Sequence, residues 1–294
     1  MKEYIQAFFQ RFEYPLESRE VLLKAYETLS KREEFSIFLE EYAKKGVESD
    51  VQGMTAAVKT LGEEVGVHRY TATTILFVCW SKTLLEIYKE KGISEEVWVT
   101  SMYDLKYKLD ECKLVHGIWG TFTDWDARFF GLRLFGLGRL QFEPAKCKHD
   151  CIVNGRAMTT ENDVVNVHIP RSGVRLTRDL VLDSYRQALA FFKLEEVVFT
   201  CDSWLLFPKN LELLSPTSNL YSFISDFEIV SWGEFENYEQ AWRLFDAWID
   251  ENNLDKLPQD TSLRKAYVEL MKKGEKTGYG YGAFVFNGGE NERL

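Results

Sequence analysis

From the amino terminus to Gly117, apolar residues recur with the period of a helix. Ile5, Phe8, Phe9 and Phe12 stand at i, i+3, i+4 and i+7. The spacing returns at Leu22, Ala25, Tyr26 and Leu29, at Phe35, Phe38, Leu39 and Tyr42, and at Met54, Ala57, Val58 and Leu61. At about 3.6 residues per turn each set falls on one face, which predicts four amphipathic helices. Two more are predicted over Thr71 to Lys89 and Glu95 to Leu114. In the last of these Ser94 is placed to cap the amino end, and Trp98, Met102, Leu105, Leu109 and Cys112 form the apolar stripe. Only the periodicity repeats, not the residues, so the region reads as a helical bundle.

Beyond Gly117 the period shortens to two and glycines break the pattern. The stretch FFGLRLFGLGRLQFEPAK reads as a hairpin, with Arg139, Gln141 and Glu143 on one face and Leu140 and Phe142 on the other. Asn154-Gly155 inside CIVNGRAM marks a tight turn. DVVNVHIP predicts a strand with Val165, Val167 and Ile169 on one side and Asn166 and His168 on the other. A helix follows from Arg178 to Lys193, with Thr177 as its N-cap, Asp179 in its first turn, and Val181, Tyr185, Ala188 and Phe192 facing inward. EEVVFTCDSWLL reads as a buried strand, Ser222 to Val230 and Ala241 to Ile249 as apolar-rich segments, and DTSLRKAYVELMKKG as a helix capped by Asp260 or Thr261. The closing strand TGYGYGAFVF puts Gly278, Gly280 and Gly282 on one face, where another backbone or a ligand comes close, and Tyr279 and Tyr281 on the other. The expected chain is α+β or α/β: an all-helical domain over residues 1–117, then a mixed-sheet α/β domain over 118–294.

Composition supports a packed protein. Hydrophobic residues make up 45% and aromatic residues 15% of 294, which excludes a disordered chain. The net charge is −10 and no long basic run occurs, so nucleic acid and anionic membrane are not expected as partners. The longest strongly apolar run, Ile75 to Trp80, is far short of the ~20 residues of a membrane span. Five scattered cysteines and a charged amino terminus fit reduced thiols in the cytoplasm. Oligomeric state is not legible.

Four groups of residues carry possible chemistry. Between strand and helix, NVHIPRSGVRLTRD places Gly173 among Arg171, Arg175 and Arg178. A strand end, a flexible glycine, a helix amino terminus and clustered guanidinium groups suit a phosphate; the bland alternative is a solvated turn. Glu143 is a possible general base, directly or through water, and otherwise part of a solvated sheet face. At the end of a strand, Cys201 reads as packing, while Asp202 and Ser203 are candidates for substrate contacts or for capping the next turn. Cys147, His149 and Cys151 have no second ligand pair at zinc spacing, so no metal is expected.

The segments VNVHIPRSGVRLTRDLVLDSYRQALAFF, CDSWLLFPKNLELLSPTSNLYSF and LPQDTSLRKAYVELMKKG, with GRLQFE upstream, resemble a bacterial two-domain acyltransferase-like family. It joins a helical N-acyltransferase N-terminal domain to a GNAT-like C-terminal domain. The resemblance covers nearly the whole chain and implies transfer of an acyl group from acyl-coenzyme A to a small-molecule amine. It places the coenzyme's pyrophosphate at Arg171, Ser172, Gly173, Arg175 and Thr177. It makes His168 or Glu143 the base, Tyr221 (with Tyr279 and Tyr281 as alternatives) the acid for the departing thiolate, and Gln141, Asp202 and Ser203 the substrate contacts. Each also has a structural reading: a satisfied histidine, an ion pair, ordinary aromatic packing. The loop departs from the GNAT pattern of Arg or Gln, two residues, Gly, any residue, then Gly or Ala. In Arg171-Ser172-Gly173-Val174-Arg175-Leu176 the glycine comes one position early and the last small residue is missing. That departure favours a second reading, a non-catalytic GNAT-like module that senses a metabolite; the two carboxylates Glu143 and Asp202 leave a third, a hydrolase.

Overall fold

The structure, a computed structural model, describes residues 1–250 and 252–289. The chain divides into two units. One is Met1–Gly136 with Pro170–Ser172; the other is Leu137–Ile169 with the residues from Gly173 onward.

The helical unit contains α1 (Lys2–Arg11), α2 (Leu16–Leu29), α3 (Glu33–Lys45), α4 (Val51–Glu64), α5 (Arg69–Glu90), α6 (Glu95–His116) and the single turn α7 (Ala127–Phe130). The stripes sit where the periodicity puts them: Ile5, Phe8, Phe9, Phe12, Leu22, Leu29, Phe35, Tyr42, Met54, Val58 and Leu61 are all buried. Tyr26, Phe38 and Leu39 are half-buried, and Ala57 is the exception. It is exposed, and Thr55 is buried in its stead, its hydroxyl satisfied by the Val51 carbonyl at 2.6 Å. Helix α5 is the centre of the bundle. Every residue from Thr71 to Ser81 is buried, and α1, α2, α3, α4 and α6 all pack on it. A helix apolar on all sides is stable only when covered on all sides. Its threonines return their hydroxyls to the helix, Thr73 to the Arg69 carbonyl at 2.9 Å and Thr74 to that of Tyr70 at 3.2 Å, so they cost little when buried. Gly62 lets α4 approach α5, since a Cβ there would lie 2.7 Å from that of Ala72. Ser94 caps α6 by accepting from the Val97 N–H at 3.4 Å, and Gly117 ends it with φ +73.

The strands are β1 (Phe135–Leu137), whose first two residues fall in the first unit, and, in the second unit, β2 (Leu140–Lys146), β3 (Cys151–Val153), β4 (Arg156–Met158), β5 (Asp163–His168), β6 (Val197–Ser203), β7 (Glu228–Glu234) and β8 (Gly278–Phe286). The helices of the second unit are α8 (Arg178–Phe192), α9 (Lys209–Leu213), α10 (Asn219–Ile224), α11 (Trp242–Phe245) and α12 (Ser262–Lys272). Six strands form one mixed sheet in the order β1-β2-β5-β6-β8-β7, and β3-β4 form a separate hairpin. The hairpin turns at Asn154 and Gly155, both with positive φ, as the Asn-Gly pair predicts.

Alternation divides the sheet into two faces. Phe142, Phe199, Phe284 and Phe286 share one face, where the Tyr185 ring of α8 meets all four. On the other face Val164, Val198 and Ala283 pack with Val153 and Met158 of the hairpin and with Cys147. The β8 glycines serve close backbone approach. A Cβ at Gly280 would lie 2.2 Å from the Leu206 carbonyl oxygen. Arg139 departs from its expected strand face. It lies in the turn before β2, after Gly138 with φ +63, and its Nε donates to the Val174 carbonyl at 3.0 Å.

Candidate active site

The parallel pair β5 and β6 stays in register only at Val165↔Phe199 and Asn166↔Thr200. Beyond these positions each strand follows its outer neighbour: β5 pairs with β2 as far as His168↔Gln141, and β6 with β8 as far as Ser203↔Gly280. The two strands therefore part at their carboxyl ends, the end of a layered α/β sheet where ligands bind. The parting leaves backbone groups of two inner strands facing a gap, and such groups need a partner.

Polar side chains collect on the hairpin-side face around this gap. Glu143 Oε2 lies 3.1 Å from His168 Nε2, and both side chains are mostly buried, at 17% and 15% exposure respectively. Asn166 Nδ2 lies 3.3 Å from the same ring nitrogen, and Thr200 Oγ1 donates to Asn166 Oδ1 at 3.3 Å. Protonated, Nε2 donates to the Glu143 carboxylate; unprotonated, it accepts from Asn166. The ring thus has a satisfied partner in either state, as a group that takes up and gives back a proton requires. Gln141, buried, stands opposite His168 in the register. Asp202 shares the face through β6 and is ion-paired with Lys148. Beside it Tyr281 is buried; its hydroxyl accepts from the Lys148 N–H at 3.3 Å and reaches Cys147 Sγ at 3.7 Å. Burial, countered in part by the Lys148 N–H, pushes its phenol up to about 12.

Ser203 and Tyr221 are placed apart from this group. Ser203 Oγ caps the 3-10 turn Trp204–Leu206, accepting from the Leu205 N–H at 3.2 Å. Tyr221 is half-buried on α10, which packs with α8 on the opposite side of the sheet. Cys201 points to that side too, and burial pushes its thiol up, away from nucleophilic use.

The loop between β5 and α8 is divided. Arg171 and Ser172 group with the helical unit, and the chain from Gly173 onward groups with the sheet. Gly173 has φ +74 with open space where a Cβ would stand, and Arg175 is exposed. Thr177 occupies the N-cap position of α8, as the sequence indicates, but its side chain makes no cap bond. The first-turn N–H groups therefore have no side-chain cap from Thr177. Arg178 is not a loop arginine in function. Both oxygens of the buried Asp226 accept from its Nη1 at 2.7 Å, and the Tyr185 hydroxyl gives that carboxylate a third bond at 3.2 Å. Of the Cys147, His149, Cys151 set, Cys147 is in the core with its Sγ 3.2 Å from the His149 carbonyl. No group of three His, Cys, Asp or Glu among the described residues is arranged to hold a metal, and no helix among them is long and apolar enough to cross a membrane.

Sequence reasoning misses Lys148 and Thr200. Lys148 sits in a connection with no pattern, and Thr200 reads as one more β-branched strand residue. Aligning β5 with β6 finds Thr200; nothing in the order of residues finds Lys148.

Residues 134–284 match the GNAT-like C-terminal domain, and residues 3–131 match the N-acyltransferase N-terminal domain. No curated protein sequence matches the chain closely enough to be compared. Among solved structures, an acyltransferase in complex with decanoyl-CoA and teicoplanin is similar with a TM-score of 0.73 at 21% identity, covering 95% of this chain and 87% of the other. An acyltransferase in complex with CoA and 10C-teicoplanin is similar at 0.72 and 20%, covering 95% and 86%. At such identities these likenesses show the fold. With its second domain model spanning just over half of it, and the first covering most of the remainder, the chain belongs to the family that carries an N-acyltransferase N-terminal domain and a GNAT-like C-terminal domain.

Proposed function

We propose that the protein is an acyl-coenzyme A dependent N-acyltransferase acting on an amine. The observation that carries this reading is the parting of β5 and β6 beside the Glu143–His168 pair. A thioester laid in the gap finds strand N–H groups to steady the oxyanion that forms as its carbonyl is attacked. The coenzyme's pyrophosphate is assigned to the amino end of α8, with Gly173 and Thr177 giving backbone access and Arg175 adding donors. Arg178 takes no part, since Asp226 holds it.

His168 is the base that takes the proton from the acceptor ammonium or its amine adduct, with Glu143 orienting it and stabilising its charge. Gln141 and Asp202 border the acceptor side; Ser203 is available to substrate only through the turn it caps. Tyr221, the acid implied by the resemblance, lies on the α8 side of the sheet, away from the base. Tyr281 is the tyrosine on the face of the base, and with a phenol at about 12 it keeps its proton at neutral pH. The similar acyltransferases are in complex with decanoyl-CoA and teicoplanin, which supports an acyl-coenzyme donor and an acceptor larger than an amino acid.

The test is binding followed by turnover. Coenzyme A and a series of acyl-coenzymes should raise the melting temperature, because a ligand held only by the folded state stabilises it. Free thiol should then appear with an amine panel. Stabilisation without thiol release would make the protein a sensor; no stabilisation by any acyl-coenzyme would end the acyltransferase reading.

A further inference from the structure

The connection from β2 to β3 carries a primary amine to the edge of the strand gap. Lys148 is ion-paired through Nζ with Asp202, and its side chain is 53% exposed. Its backbone is anchored. The Lys148 N–H donates to the buried Tyr281 hydroxyl at 3.3 Å, and the preceding Cys147 is packed in the core beneath the hairpin. The ammonium also lies 5.9 Å from the centre of the Tyr281 ring.

Register gives the amine its place. Thr200 and Asn166 are the last paired residues of β6 and β5. Asp202 stands two residues beyond the first and His168 two beyond the second, so both side chains are on the same face, on either side of the parting. Lys148 is thus held by the carboxylate across the gap from the proposed base.

Resting on the acyltransferase reading, we infer that Lys148 is a self-acylation site. Asp202 or His168 accepts one proton from the ammonium. The neutral Nζ attacks the thioester carbonyl of a bound acyl-coenzyme A, the C–N bond forms and the C–S bond breaks. A second proton from nitrogen goes to the departing thiolate, which leaves as coenzyme A thiol, and the third stays on the amide. One proton is released overall. Tethering supplies the rate: an amine held beside the thioester reacts as within one molecule. The product has no positive charge, so the ion pair with Asp202 is lost and the carboxylate becomes available to the ammonium of an incoming acceptor.

The experiment incubates the purified full chain with acetyl- and decanoyl-coenzyme A and no acceptor. Intact mass, and peptide mass spectrometry after cleavage at aromatic residues, then follow the label. Melting with coenzyme A is measured in parallel on the same samples. The expected result is one acyl group per chain on the peptide holding Lys148, formed at least about tenfold faster than on any other lysine. Lys148→Arg should keep the melting shift and lose the label, and Asp202→Asn should slow labelling severalfold. A normal melting shift with no label, or with label spread over many lysines and unchanged in Lys148→Arg, overturns self-acylation and leaves the acyltransferase reading standing. No melting shift overturns both.

Discussion

In the helical unit Asp104 and Asp126 are 1% and 0% exposed and close enough for the charge of one to act on the other, with the Lys108–Glu111 ion pair nearby. In the sheet unit Glu143 meets His168, both mostly buried, on the edge of a gap between strands. Both pairs join a carboxyl group to a titratable partner inside a protein. Burial first, and then the charge of Asp104, pushes Asp126 well above the usual carboxylate range, with Lys108 opposing. A like charge beside it in low dielectric disfavours ionisation further, so Asp126 is the member that keeps its proton. Nothing of that pair reaches solvent, and its proton is part of the fold. The Glu143–His168 pair joins a carboxylate to an imidazole, offers Nε2 a partner whether or not that nitrogen carries a proton, and stays partly open. A buried, perturbed carboxyl group is therefore a poor guide to a site on its own; access and a partner for both proton states decide the matter.

The heaviest loss should come from removing the proton acceptor of the sheet pair. His168→Gln should reduce thiol release about 10²–10⁴-fold while leaving the melting temperature within a few degrees of the parent. Glu143→Gln should cost less, since it only orients and balances the ring. Unimpaired turnover in His168→Gln would remove the sheet pair from the chemistry and make it as structural as the other. A second test separates the two kinds of arginine in the α8 region. Asp226→Ala strips a buried partner from Arg178 and should destabilise the sheet unit by about 2–4 kcal/mol in denaturant titration. Arg175→Ala should leave stability within about 0.5 kcal/mol and instead weaken coenzyme A binding about five- to tenfold in a titration followed by melting. Were Arg175→Ala to unfold the protein and leave binding intact, the exposed guanidinium would have a structural and not a ligand role.

How much of the molecule is legible in its sequence depends on what periodicity encodes. The stripe from Trp98 to Cys112 gives the inner face of α6, yet it gives no sign that Asp104 and Glu111 on the same helix are buried too. Glu111 finds Lys108 one turn away on the same helix, but the neighbour of Asp104, Asp126, lies beyond the helix in the chain, and pattern along one helix does not carry it. Alternation alone assigns Asn166 and His168 to one strand face, and the register agrees. The same rule assigns Arg139 to the face of Gln141 and Glu143, from which it is absent, because Gly138 ends the alternation one residue earlier with its positive φ. Likewise the three arginines of the α8 loop look equivalent in sequence. Only the position of Asp226, about fifty residues on, tells Arg178 apart from Arg175. The parting of β5 and β6 has no local signature at all, since it arises from two strands each following a different neighbour.

The mildest change expected concerns pH and the sealed pair of the helical unit. Because the folded state holds the Asp126 proton more tightly than the unfolded chain, folding takes up a proton at any pH between the ordinary carboxylate range and the raised value. The contribution is complete below that ordinary range and is lost as pH rises through the folded value, so the unit should weaken steadily from mildly acidic to alkaline conditions. Asp126→Asn keeps a hydrogen-bond donor toward Asp104 without a proton to lose. The variant should match or fall slightly below the parent near pH 5 and exceed it by about 1 kcal/mol at pH 8, with a flatter slope between. Urea titrations of both proteins at several pH values, read by far-ultraviolet dichroism, give the two slopes directly. Parallel slopes would mean that the proton is not held by this pair, and the contrast between a sealed carboxyl pair and an open one would then rest on geometry alone.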